Sequence, residues 1–420
     1  MGTYFIRRIL LMIPTFFGAT ILVFFILQLA PGGPLEQTIR QIQMGGAAFG
    51  ETAGAATDAG GGGVITKEAM EELRRFYGFD KPMHLRYLTW LGIWPREIEN
   101  RTLEFKNGAT EVSKYVGSDT TVVVRREGDD YAVFSEDGTP NNIWKVHSLE
   151  SDKKNELRAT LYRNEFSGIL TGNLGISYTY MQAVTEVMKP RFKVSIFFGV
   201  IGLILGYTVC VPLGIAKALR HGSPFDFFSS VLVFIGYSIP GWALGAVLLI
   251  LLGGGSFWDI FPLGGFRSDD WEYLPLWEKI ADQAYHAVLP IIAWTIQSFA
   301  TLTVLMKNSL LENLSQDYVR TAFAKGLSEK RVVWLHTLRN SVIPIASIFG
   351  HVIGILIAGS YLIEVTFNID GFGKMSFQAI LDRDYPIVMG FLVITVLLRL
   401  VGNILSDICL ALVDPRIRFK

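Results

Sequence analysis

Two groups of residues in this chain could do chemistry, and neither is catalytic by type. The first is a basic turn, Asp317-Tyr-Val-Arg-Thr-Ala-Phe-Ala-Lys-Gly-Leu-Ser-Glu-Lys-Arg331, continued to His336 and Arg339-Asn340. Leu311, Leu314, Tyr318 and Ala322 recur at helical spacing, Gly326 can take the left-handed conformation that ends a helix, and Ser328 can cap the next one. The predicted product is helix, sharp turn, helix. Small side chains at Ala322 and Ala324 let a partner surface approach closely, while Lys325, Lys330 and Arg331 supply charge that orients it. The chemistry on offer is recognition; a plain linker with a solvated basic face is the competing reading. The second group is His351 and Arg399, each alone in a long apolar run. A charge in the middle of such a run costs about 2.5–3.5 kcal/mol on insertion scales, so Arg399 should face a wet cavity or a pairing partner, lining a pathway or a seam between subunits or else serving a structural role alone. His351 is a second candidate for that lining, the alternative being a neutral imidazole hydrogen-bonded to a neighbouring helix.

Missing motifs narrow the possibilities. The sequence has no Gly-x-x-x-x-Gly-Lys-Ser/Thr to cradle nucleotide phosphates, and no His-Glu-x-x-His or Gly-x-Ser-x-Gly to support hydrolysis. Cys210 and Cys409 both fall in apolar segments, where buried, inert thiols are expected. Gly371-Phe-Gly373 lacks the strand, the third glycine and the acidic residue of a dinucleotide site.

The elements that must hold these residues are membrane helices. Of 420 residues half are apolar, while 38 basic and 38 acidic residues cancel, so polar and apolar residues must be segregated along the chain. Apolar runs near the spanning length of about 20 residues occupy 9–30, 194–216, 227–258, 287–306, 341–363 and 387–406, interrupted by His351 and Arg399. Unpaired backbone amides cost several kcal/mol in hydrocarbon, so such runs must be helical. Six spans are expected, with the end of the third, near Gly253-Gly-Gly255, the least sharply marked. Arg7, Arg8, Lys217, Arg220, the basic turn, Arg416, Arg418 and Lys420 flank short loops, which places those segments and both termini in the cytoplasm. The acidic loop carrying Asp259, Asp269, Asp270, Glu272, Glu278 and Asp282 then faces outward. The first run exceeds the 7–15 residue core of a signal peptide, and Arg7-Arg8 read as an inside anchor.

Residues 31–190 form the long outward segment. Residues 45–63 read as a flexible loop; Thr66 can cap a short helix with Met70, Leu73, Phe76 and Tyr77 on one face and Gly78 at its end. Two hairpins are then expected, 103–106 with 110–115 around Asn107-Gly108, and 121–126 with 131–135 around Gly128-Asp-Asp130. They predict a small antiparallel β module at about 96–165.

From end to end, apart from that module, the chain resembles the transmembrane permease subunits of dipeptide/oligopeptide ABC importers, most closely the Yej-type permeases. The resemblance is carried by Tyr4 to Arg8 and Ala30-Pro-Gly-Gly-Pro34, by Phe76-Tyr-Gly-Phe-Asp-Lys-Pro82 with Arg86-Tyr87 and Trp90, and by Gly172-Asn-Leu-Gly-Ile-Ser177. Further matches are Gly371-Phe-Gly373 with Ala379, Arg383-Asp-Tyr-Pro386 and Asp414-Pro-Arg416. The β module then reads as an insertion in a loop, where added length costs little closure entropy.

The basic turn is similar to the EAA motif by which such permeases dock on their ATPase. Arg320-Thr-Ala322 stands where Glu-Ala-Ala is expected, and Leu338-Arg339 replaces Leu-Pro, with proline delayed to Pro344.

The resemblance implies an all-α polytopic membrane protein with six transmembrane helices of the type I ABC importer permease fold and a β-rich insertion in a large extracytoplasmic loop. Its parts would be a cytoplasmic N-terminus and first helix at 1–30, an extracytoplasmic region at 31–190, a five-helix core at 191–414 with a coupling loop at about 308–340, and a cytoplasmic tail at 415–420. The ATPase would be met by Tyr318, Arg320, Ala322, Ala324, Lys325, Gly326, Leu327, Ser328, Glu329, His336, Arg339 and Asn340. It implies no cofactor or metal in this chain, ATP and Mg on partner ATPase subunits, a second permease subunit in a heterodimer, an extracytoplasmic peptide-binding protein, no nucleic acid, and the bacterial inner membrane. Two other functions fit a polytopic chain: an ion-coupled secondary transporter, which the absence of carboxylates within the six runs disfavours, and a membrane sensor, which needs no elaborate basic turn.

Overall fold

The computed structural model describes residues 2–40, 70, 73–75, 77–105, 109–117, 120–128, 130–149, 157–255, 257–357 and 360–413. Expectations for the loop 45–63, the Thr66 cap, Phe76, the Asn107-Gly108 turn, Asp414-Pro-Arg416, the tail 415–420 and the side chain of His351 lie outside the described residues. The chain divides into two units, 21–183 and 1–20 with 184–420. Helix α1, Gly2–Leu29, contributes residues to both.

In the unit 21–183, Gly78 takes φ +70° and closes the short helix before it, as its sequence position predicts. Helix α2, Met83–Leu91, lays Tyr87 and Trp90 against Phe24, with ring centroids 5.3 and 6.2 Å away. Six strands follow: β1 Arg96–Phe105, β2 Glu111–Gly117, β3 Thr120–Glu127, β4 Asp130–Ser135, β5 Trp144–Leu149 and β6 Leu157–Glu165. They form two antiparallel sheets, ordered β1-β6-β5 and β2-β3-β4. Alternation buries Val122 and Val124 from one sheet with Leu103, Phe105, Ala159 and Leu161 from the other in a single core. The β3–β4 hairpin forms as read, with Glu127 opposite Asp130 and Gly128 at φ +69°. The first expected hairpin does not: β1 pairs with β6, Arg96 opposite Glu165, and β2 pairs with β3. Local turn propensity gave way to burial of Leu103 and Phe105 against β6.

The other unit is helical: α3 Val184–Leu219, α4 Pro224–Ser238, α5 Gly241–Leu252, α6 Leu276–Leu314, α7 Asp317–Ala324, α8 Ile343–Ile357, α9 Tyr361–Thr366, α10 Phe372–Leu381 and α11 Tyr385–Val413. Among the described residues four helices are long and apolar enough to cross a membrane, or up to six if each bent pair is one span. The third apolar run is therefore not one straight helix. It breaks into α4 and α5 at a 96° bend where Pro240 begins the second arm. Proline lacks the amide hydrogen and disfavours a helical residue before it. Elsewhere backbones meet directly: a Cβ on Gly402 of α11 would lie 2.3 Å from the carbonyl oxygen of Gly350 on α8, whose amide donates to Ser406 Oγ at 2.8 Å. Small residues permit that approach. Cys210 is buried and Cys409 partly so, both free.

Candidate functional site

Helix α6 is 39 residues long and ends in the basic turn. The predicted continuous face breaks at Ser315, because the helix stops at Leu314 and restarts at Asp317. Leu311 and Leu314 pack with Ile215, Met306, Leu310 and Ile345. Val319, Ala322, Leu327 and Val332 close a second, smaller core. Ala322, 7% exposed, therefore supports the turn from inside, its side chain packed in that core and not standing on the surface. So short a helix is held by packing and not by propensity, here through Val319 and Ala322.

Gly326 adopts φ +79°, and the amide of Leu327 donates back to the Ala322 carbonyl at 3.4 Å, giving the sharp reversal. Ser328 occupies the N-cap position of the next helical stretch without a side-chain capping bond; its carbonyl accepts from Arg331 and Val332 instead. That stretch includes a π-helical segment, Val332–Thr337, in which Thr337 Oγ1 donates to the Val332 carbonyl at 3.1 Å. Tyr318 Oη donates to Asn313 Oδ1 at 3.0 Å and accepts from Asn340 Nδ2 at 3.2 Å, joining the end of α6, the helix α7 and the return arm. Ser309 Oγ donates to the Ser341 carbonyl at 2.9 Å, and Arg339 Nε to the Val413 carbonyl at 3.4 Å. These bonds tie the turn to the end of α6 and to the last residue of α11.

Outward from this frame stand Tyr318, Arg320, Ala324, Lys325, Gly326, Ser328, Glu329, His336 and Arg339, with Leu327 and Asn340 half-buried. Sequence reasoning missed the apolar part of the same surface. Phe323 is 44% exposed, and Trp334 and Leu335 are exposed as well. Their signal was their place beside buried Ala322, Val332 and Val333 on turns that cannot bury every residue.

Arg399 lies at the midpoint of the 29-residue α11, exposed, with no ion pair to it among the described residues. A carboxylate one residue beyond the fifth apolar run was also missed. Glu364 of α9 is 1% exposed; it accepts from Lys374 N at 2.6 Å and from Ser195 Oγ at 3.1 Å. Ser195 Oγ in turn accepts from the Phe372 amide at 2.9 Å. The carboxylate thus sits at the N-terminus of α10, where free amides favour negative charge. A Cβ on Gly371 would fall 2.4 Å from Glu364 Cδ, which is why that glycine is needed.

The family model described as binding-protein-dependent transport system inner membrane component matches residues 210–419, half the chain and all of the turn just described. The chain belongs to that family. Its members are ABC permease subunits, membrane components distinct from the ATPase. The chain is 35% identical over 437 residues to an inner membrane ABC transporter permease protein, YejB, of Escherichia coli O157:H7, covering 100% of both chains. It is 33% identical to a peptidoglycan transport system permease protein, YejB, of Agrobacterium fabrum, covering 100% of this chain and 99% of that one. A dipeptide transport system permease protein, DppB, of Escherichia coli K12 is 33% identical over 276 residues, 62% of this chain and 80% of its own.

Proposed function

We propose that this chain is the permease subunit of an ATP-driven peptide importer: it receives substrate from an extracytoplasmic binding protein and is moved by a separate ATPase through the turn at Gly326. The observation that carries this is the exposed face of α7 and its return arm, tied across the break at Ser315 to the end of α6 by the Tyr318 hydroxyl, which donates to Asn313 and accepts from Asn340. ATP and Mg belong to the partner. Nucleotide closure of an ATPase dimer would displace α7 as a rigid body and tilt α6 with it, exchanging inward for outward access; only a difference in contact between the two states can shift their populations. Phe323 fills an apolar recess on the ATPase, and the surrounding basic groups orient the approach.

Arg399 lines the pathway or the seam with a second permease chain, since an arginine at mid-helix is costly against lipid. Both termini lie on the cytoplasmic side with the turn. The β module is an insertion, a reading supported by the family-like segments that flank it, Phe76 to Trp90 before and Gly172 to Ser177 after. Its exposed faces are the docking surface for the binding protein. The peptidoglycan name of one relative favours a second cargo, peptide-bearing cell-wall fragments, carried by the same mechanism.

Reconstitution into proteoliposomes with the ATPase and binding protein tests the proposal. Peptide accumulation that requires ATP on the ATPase side is the expected result, and competition by cell-wall peptide fragments separates the cargo readings. Uptake by this chain alone on a proton or sodium gradient would overturn it.

A further inference from the structure

Helix α4 is almost unanchored. Its buried residues are Asp226 in the first turn and Gly236 near the end, while Phe227, Phe228, Leu232, Phe234 and Ile235 are all exposed. Gly236 packs on Ile296 of α6. At the other anchor, both oxygens of Asp226 accept from Lys307 Nζ of α6, at 2.7 and 2.8 Å. His221 Nδ1 lies 3.1 Å from the same carboxylate, and the Gly222 amide donates to it at 3.2 Å. Lys217 of α3, 1% exposed, lies 3.4 Å from Asp226 Oδ1 and donates to the Asp226 carbonyl, Ser229 Oγ and Ser230 Oγ at 3.1, 2.8 and 2.7 Å. Three helix ends are thus tied at one buried carboxylate.

Lys307 stands about two turns before the end of α6, in the stretch of that helix whose Met306 and Leu310 pack with Ile215 and Ile345. On the reading of α7 as the ATPase contact, we propose that Asp226 is a positioning residue. Through Lys307 it fastens α4 to α6, so that the bent pair α4–α5 follows the displacement imposed at the turn. Apolar packing alone would leave the first turn of α4 free to slide, because its flanking side chains point away from the unit. A buried charge pair with bidentate geometry resists sliding, since any separation exposes an unpaired charge to a medium that solvates it poorly.

The test uses the reconstituted complex with its ATPase and binding protein, comparing wild type with Asp226→Asn, Lys307→Gln and Lys307→Arg. Hydrolysis should continue in Asp226→Asn and Lys307→Gln while peptide moved per ATP falls about tenfold, and Lys307→Arg, which keeps the charge, should restore the ratio. An unchanged ratio in both neutral variants overturns the proposal, as does a proportional loss of hydrolysis and transport in Lys307→Gln, the milder change that leaves Asp226 its bonds to Lys217, His221 and Gly222. A second readout is independent of the ATPase. Spin labels at exposed Phe234 and Glu312 should give a narrow distance distribution in wild type and a broad one in Asp226→Asn; no broadening sinks the fastening role. If wild type itself lacks ATP-driven uptake, the transport reading fails while this distance measurement still decides the anchor.

Discussion

At the scale of single residues, backbone conformation and close packing make the sharpest demands. Gly326 holds φ +79° in open space, so its constraint is conformational and not steric. Gly326→Asn should be tolerated, whereas Gly326→Val should cost about 1–2 kcal/mol and lower both thermal stability and ATPase binding. Gly371 has the opposite constraint: a methyl group there collides with the Glu364 carboxylate, so Gly371→Ala should cost about 1–3 kcal/mol in thermal unfolding in nanodiscs. Burial pushes the Glu364 carboxyl up from its ordinary range. With the folded-state value above the unfolded one, the folded chain keeps the proton longer; this group's contribution is complete below the unfolded value and is lost as pH rises through the folded one. Melting temperature should fall between acidic and neutral pH in wild type, and Glu364→Gln should flatten that part of the slope. Glu364 escaped the sequence reading because it abuts an apolar run and nothing local signals that the chain folds back to bury it.

The turn and the β module show how much an element owes to its surroundings. Tyr318 joins three segments through one hydroxyl, so Tyr318→Phe should loosen the turn by about 1 kcal/mol. Phe323→Ala should leave the turn folded, because that ring is exposed, but weaken ATPase binding about tenfold in titrations on nanodisc-embedded complex. A normal affinity would remove Phe323 from the interface. In the β module, the pairing of Arg96 with Glu165 brings entry and exit side by side. Residues 97–164 should therefore be replaceable by a short linker without loss of membrane insertion or ATPase association, and with loss of binding-protein-dependent uptake; unchanged uptake would count against a docking role. The β3–β4 hairpin was legible because its two-residue loop and its alternation are local. The β1–β6 pairing was not, since no pattern within β1 distinguishes β2 from a strand far along the chain.

Across the whole molecule, charge placement predicts topology. Single cysteines at Ser223 and Gly326 should react only with reagent supplied from the cytoplasm, and at Tyr131 and Asp270 only from outside; the reverse at any pair would overturn the assigned orientation. What the amino-acid order alone determined is what depends on neighbours within a few turns: the apolar runs, the reversal at Gly326, the β3–β4 hairpin and the family motifs. Hydrocarbon enforces helical hydrogen bonding on any sufficiently apolar run, so no distant partner is needed to specify it. Tertiary structure decided the rest: the break of the third run into α4 and α5, the inward turn of Ala322, the burial of Glu364 and the meeting of Asp226 with Lys307. Three of these outcomes pair groups far apart in the chain or sort buried from exposed among similar residues. The fourth, signalled locally by Pro240, needed the fold to choose a 96° bend over a kink. Close packing of helices is what makes those choices, because a buried charge or methyl group is stable only where the facing helix supplies its partner or its space.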